Sequence, residues 1–146
     1  MLLRDNKGGG EFELSIAGYE SPYPGWNWLQ VDVRMKGPNG ERKKRDPCLT
    51  VEVAGELAGW LSDLARAYSK TSICPGMPDL TEPNLRILVL KTSRSEVQLR
   101  VEFIFESMGN PPIFEHLDLA MERSDLESAV SDFRRELERW PVQENE

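Results

Sequence analysis

Histidine and cysteine are scarce in this sequence, which excludes the common metal sites. His116 is the only histidine, and Cys48 and Cys74 are the only cysteines and lack a C-x-x-C spacing. Zinc sites usually need three or four nitrogen or sulfur ligands, so the sequence predicts no metal site and no cofactor. Glu115 and Asp118 flank His116, and an acid–base pair or metal ligand there remains the alternative to an ordinary strand histidine.

Motifs for nucleophilic catalysis are also absent. The chain has no G-x-S-x-G elbow, and Gly8 to Gly10 lacks the Lys and Ser/Thr of a phosphate-binding loop. Carboxylate pairs such as Glu11 with Glu13 lie on one side of a strand, but such pairs are common in acidic proteins and mostly solvated. The sequence therefore predicts no catalytic residues and a protein that is not an enzyme.

Long apolar runs and excess basic charge are missing as well. No stretch approaches the roughly 18 apolar residues that span a bilayer, and Met1 to Asp5 does not resemble a signal peptide. With so few cysteines, we expect buried reduced thiols, a cytoplasmic location and no membrane contact. The net charge of -7 argues against nucleic acid as a direct partner and permits a basic one. The acidity is equally consistent with a role in solubility alone.

Alternating apolar residues are abundant and predict β-strands. A length of 146 residues fits one domain over residues 1–146. The predicted strands cover 12–16, 29–35, a charged return arm at 41–46 after the Gly37 to Gly40 turn, 85–90, 97–105 and 117–121.

Helical spacing of apolar residues appears twice. The first helix is predicted from Thr50 to about Tyr68. The second runs from Leu126 to Trp140, begins at a Ser124 to Glu127 capping box and ends at Pro141. A loop over 70–83 and a turn over 109–112 separate the later elements. The element order predicts an α+β fold, with a mainly antiparallel twisted sheet of five or six strands and two amphipathic helices on one face.

Aromatic and acidic side chains supply the candidate partner-binding residues. Trp60 and Trp140 lie on apolar helix faces and are predicted to be core. The remaining tryptophans, near Tyr23, form either an exposed aromatic cluster or local loop packing. Acidic residues on the outward parity of the strands form either a docking surface or an ordinary solvated face, if the strands share one sheet. The candidates are Tyr23, Trp26, Trp28, Asp32, Glu102, Glu106 and Asp118.

Four short segments together resemble the WapI-type immunity proteins of bacterial polymorphic toxin systems. They are Phe12 to Tyr19, Asn27 to Leu29, Asp46 to Thr50 and Glu82 to Leu85. The resemblance implies a small cytoplasmic protein that binds and blocks a cognate toxin domain, often a nuclease. The basic run Arg42 to Arg45 departs from it and is interpreted as protection of an exposed edge strand. A non-catalytic adaptor for another protein or peptide is the alternative, and the oligomeric state stays open.

Overall fold

The computed structural model describes residues 1–66, 84–106 and 113–144, which form seven strands and two helices. The predicted loop over 70–83 with Cys74, the helix end near Tyr68 and the turn over 109–112 lie outside these residues. The elements are β1 Leu2–Arg4, β2 Glu11–Tyr19, β3 Trp28–Gly37, β4 Gly40–Thr50, α1 Val51–Arg66, β5 Leu85–Thr92, β6 Glu96–Phe103, β7 Glu115–Glu122 and α2 Arg123–Leu137.

The strands form two antiparallel sheets, ordered β1-β2-β3-β4 and β5-β6-β7. The predicted α+β class, antiparallel pairing and two helices are confirmed, but a single sheet of five or six strands is wrong. The sheets approach each other beside β1, where Asn6 N donates to Ala120 O at 2.7 Å and Ala120 N donates to Asp5 Oδ1 at 2.7 Å. The alternation of apolar residues identifies a strand but not the strand that it pairs with. The sequence pattern therefore could not show that the strands divide into two sheets. At 3 residues, β1 was also too short to be predicted.

The core lies between the inner faces of the sheets and the two helices. One cluster of buried residues includes Leu14 and Val31 of the first sheet, Leu99 of the second, Leu57 of α1 and Phe133 of α2. Burial of each large apolar side chain stabilises the fold by roughly 1.5–3 kcal/mol. The buried positions alternate along strands such as β3 and β6, which confirms the prediction that the apolar residues of the strands point inward.

Three further predictions about burial have different outcomes. Trp60 is 7% exposed and Cys48 is fully buried, so both predictions are confirmed. Trp140 is only partly buried, because it lies just beyond α2, where it packs against the core and makes an edge-to-face contact with Tyr19 at 5.3 Å between ring centroids.

The two helices begin in different ways. At α1, Thr50 Oγ1 accepts a hydrogen bond from Val53 N at 3.2 Å, which satisfies a free N–H of the first turn. The capping box predicted for α2 is wrong, since its N-cap residue is Glu122, which makes no side-chain cap bond. Strand β7 leads directly into α2, so Ser124 already lies inside the helix. In the described ranges, neither helix is long and apolar enough to cross a membrane.

Candidate functional site

Two of the candidate acidic residues, Asp32 and Asp118, form bidentate ion pairs with arginines. Arg45 donates from Nε and Nη2 to the carboxylate of Asp32 at 2.6 and 2.8 Å. Arg100 makes the same contacts with Asp118 at 2.7 and 2.9 Å. These hydrogen bonds are the largest cause of a lowered pKa at both aspartates, and burial opposes them. Both carboxylates are therefore held ionised beside a positive charge.

The other acidic candidates also have basic partners. Arg86 Nη2 lies 2.9 Å from Glu102 Oε2, and Arg42 Nη2 lies 3.1 Å from Glu106 Oε1. Asp32 belongs to the first sheet, whereas Glu102 belongs to the second. The structure therefore does not bring the acidic candidates onto one shared sheet face. The expectation that their strands share one sheet is wrong.

The basic run at 42–45 is divided between two faces of β4. Arg45 pairs with Asp32 on the outer face, whereas Lys44 Nζ lies 2.9 Å from Asp46 Oδ2 on the opposite parity. Arg42 reaches toward the second sheet and lies over the Phe105 ring at 5.4 Å. The position of β4 at the end of its sheet is as predicted, and the run is largely neutralised by neighbouring acids.

His116 lies on β7 opposite Glu102 and is exposed. A shallow cavity of about 340 Å³ is lined by His116, Arg42 and Glu115, among others. Within residues 1–66, 84–106 and 113–144, no group of three or more His, Cys, Asp or Glu could hold a metal ion. The absence of a metal from the purified protein stays a prediction.

Two of the aromatic candidates, Tyr23 and Trp26, lie in the loop between β2 and β3. Trp26 N donates to Tyr23 O at 3.1 Å, and Gly25 has a φ of 78°. A proline at the second position and a left-handed glycine at the third are typical of a type II turn, which matches Tyr23-Pro24-Gly25-Trp26. The indole Nε1 of Trp26 donates to Glu20 Oε2 at 2.8 Å. The turn therefore fixes the backbone of the loop, and the bond to Glu20 fixes the Trp26 ring.

Asn27 connects this loop to two distant parts of the chain. Its Oδ1 accepts from Gln143 N at 2.7 Å, and its Nδ2 donates to Glu52 Oε1 at 3.3 Å. Its carbonyl oxygen also accepts from Val51 N at 2.9 Å. The aromatic loop, the start of α1 and the segment after α2 consequently meet at this one residue.

Three exposed apolar side chains lie on the segments that meet at Asn27, and they are here called the aromatic patch: Tyr23, Trp26 and Val142. Their exposed fractions are 74%, 47% and 49%. Trp28, the remaining aromatic candidate, is half-buried at the first position of β3. Sequence analysis missed Val142, because only the long-range bond between Asn27 and Gln143 places it here.

The surroundings of the aromatic patch are acidic. Residues 11–33, 46–65 and 140–144, which belong to the three segments joined at Asn27, contain no lysine or arginine. Glu20 and Glu52 border the patch through their bonds to Trp26 and Asn27. Farther along α1, Glu56 and Asp63 are exposed and form no ion pair with another described residue. Within the part of the chain that the structure describes, acidic side chains without an ion pair therefore lie on α1, which begins beside the patch, while the acids on the sheet faces are paired.

Comparisons with known proteins give a partial match to one curated protein and a match to a family model over nearly the whole chain. The soluble guanylate cyclase subunit alpha-1 of Bos taurus is 37% identical over 90 residues, which cover 60% of this chain but 12% of that protein. The chain thus spans about an eighth of that relative's length. No solved structure gives a significant match. The model of the immunity protein WapI-like family matches residues 1–141. The chain therefore belongs to the WapI-like immunity protein family.

Proposed function

We propose that this protein is an immunity protein that binds a cognate bacterial toxin domain and neutralises it by stoichiometric occlusion. The observation that carries the proposal is the family match over residues 1–141, which includes both sheets and both helices. The toxin domain that we propose is a nuclease. The proposed mechanism requires only binding, since a protein seated over an active site excludes the substrate.

The charge of the chain supports a nuclease as the partner. Nucleases bind phosphate backbones through basic surfaces, and the net charge of this protein is -7. Long-range attraction between an acidic inhibitor and a basic enzyme raises the association rate, which protects a cell from newly made toxin. The acidic surface beside the aromatic patch is suited to this role.

Growth rescue tests the proposed function directly. We expect a large toxin gene immediately upstream of the gene for this chain. The C-terminal domain that it encodes would be expressed from an inducible promoter, with and without this chain. We expect growth to stop in cells with the toxin domain alone and to continue when this chain is present. An unrelated acidic protein expressed at the same level serves as the control. Growth arrest in the presence of the folded chain would contradict the proposal.

A further inference from the structure

We propose that the aromatic patch is the contact surface for the toxin, and that it docks on a toxin surface whose apolar socket is surrounded by lysine and arginine. The inference rests on the proposed function and adds the surface and the chemistry of its partner. Tyr23, Trp26 and Val142 form the centre of the interface, with Glu20 and Glu52 at its border.

The aromatic patch is organised before any partner binds. The main-chain bond from Trp26 N to Tyr23 O closes the turn, and the bond from Glu20 N to Trp28 O at 2.8 Å closes the base of the loop. Tyr19 OH donates to Pro141 O, which fixes the segment that carries Val142. Binding therefore has little conformational entropy to remove from this loop, which favours high affinity.

The chemistry of the exposed side chains is that of interface centres. Trp and Tyr are enriched among the residues that dominate binding energy, because each buries a large apolar ring while a polar tip stays hydrogen-bonded. The bond from Trp26 Nε1 to Glu20 meets this condition, since the indole N–H remains satisfied when a partner covers the ring. A partner arginine next to Glu20 would be able to stack on the exposed face of the indole.

A second exposed apolar pair, Leu88 and Leu90 on β5, provides a useful contrast. Their exposed fractions of 46% and 45% are close to that of Trp26. Arg86 and Arg100 lie beside them but are paired with Glu102 and Asp118, and Lys91 follows Leu90 on β5, so the surroundings of Leu88 and Leu90 carry no excess of acidic charge. The leucine pair therefore offers a basic surface no acidic border, and charge complementarity favours the aromatic patch.

Binding measurements with matched variants test the surface. The purified C-terminal domain of the upstream-encoded toxin would be titrated with the wild-type chain, with a Tyr23→Ala/Trp26→Ala variant and with a Leu88→Ala/Leu90→Ala control. We expect the aromatic variant to bind at least about 30-fold more weakly, because large aromatic anchors contribute most of the affinity. The leucine control should bind within about 3-fold of the wild type. Thermal unfolding of each variant confirms that it is folded.

The possible failures are distinguishable in the same titration. If the wild-type chain does not bind the toxin domain, the proposed function is wrong and the inference falls with it. If the wild-type chain binds and the aromatic variant binds equally well, only the surface is wrong. The same conclusion follows if the leucine variant loses as much affinity as the aromatic variant.

A charge variant tests the chemistry of the partner. Glu52 and Asp125 both lie in the first turn of a helix, but only Glu52 borders the aromatic patch. We expect Glu52→Lys to lower the association rate several-fold at low salt and to flatten its salt dependence, because it places a positive charge against a basic surface. Asp125→Lys, with the same change in charge, should have a much smaller effect. Equal effects of the two variants would overturn the assignment of a basic partner surface.

Discussion

Arg100 and Asp118 lie directly opposite each other on β6 and β7, and the guanidinium donates two hydrogen bonds to the carboxylate. The pair cancels much of the charge that the sequence pattern assigned to this face. Two opposite charges in contact produce little field beyond a Debye length, which is about 10 Å at 0.1 M salt. Attraction of a basic toxin surface therefore depends more on acids such as Glu56 on α1, which forms no ion pair with any residue that the structure describes.

The Arg100 pair makes the pKa of Asp118 a measurable prediction. Replacing Arg100→Ala should raise the pKa of Asp118 toward the ordinary aspartate value of about 3.9, because both the hydrogen bonds and the positive charge that lower it are lost. A titration of the carboxyl carbons by NMR measures this change. Asp32, whose pKa is lowered by Arg45, provides the control and should not change. An unchanged pKa at Asp118 would contradict the ion pair.

The same pair determines the sign of a small effect of pH on stability. The pKa of Asp118 is lower in the folded protein than in the unfolded chain. The ionised carboxylate therefore contributes its full stabilisation of the fold at pH values above the unfolded pKa. The contribution is lost as the pH falls through the folded pKa. The Asp118 side chain is 49% exposed, so solvent screening limits the effect to below about 1 kcal/mol. Urea unfolding across the acidic range should show this loss in the wild type and a smaller one in Arg100→Ala.

Phe133 on α2 tests the hydrophobic core. Its side chain is 0% exposed, so Phe133→Ala should lower the free energy of unfolding by roughly 3–5 kcal/mol, through lost burial and the cavity left behind. Ile113→Ala is the control, because Ile113 is 73% exposed and should change stability by no more than about 0.5 kcal/mol. Urea unfolding measures both. A loss below about 1 kcal/mol at Phe133 would show that this face of α2 is not packed.

Arg123 connects two elements that the sequence does not place together. Its guanidinium donates to Ser93 O at 2.8 Å and to the carbonyl of Leu64 near the end of α1. Arg123→Met should destabilise the fold by about 2–3 kcal/mol, because it leaves buried carbonyl oxygens without this donor. Arg134→Met, at an exposed position of the same helix, is the matched control. Equal unfolding free energies for the two variants would contradict the structural role of Arg123.

Local patterns predicted the elements of this fold better than their assembly. Alternation at 97–105 and helical spacing at 126–140 are produced by burial on one side, and both elements are found, although the strand ends at Phe103 and the helix at Leu137. The break between the sheets and the start of α2 at Arg123 depend on contacts between distant residues, such as Asn6 with Ala120. Those contacts leave no periodic signal in the sequence.

The aromatic patch shows the same limit at the candidate site. Tyr23 and Trp26 were identified from composition and loop position, and their exposure agrees with that interpretation. Val142 was not, since its place depends on Asn27 holding Gln143. The acidic candidates could be identified by parity, but parity does not show that Arg45 or Arg100 neutralises them.

Titration of the toxin's catalytic activity with this protein tests the central claim most directly. The activity of a fixed amount of the upstream-encoded C-terminal domain would be measured as the chain is added in increasing molar ratio. Stoichiometric occlusion predicts that activity falls linearly and disappears near one equivalent, with a 1:1 complex at the end point. Full activity at a large excess of folded chain would contradict the account. So would inactivation of many toxin molecules by each chain, which would indicate catalysis instead of binding.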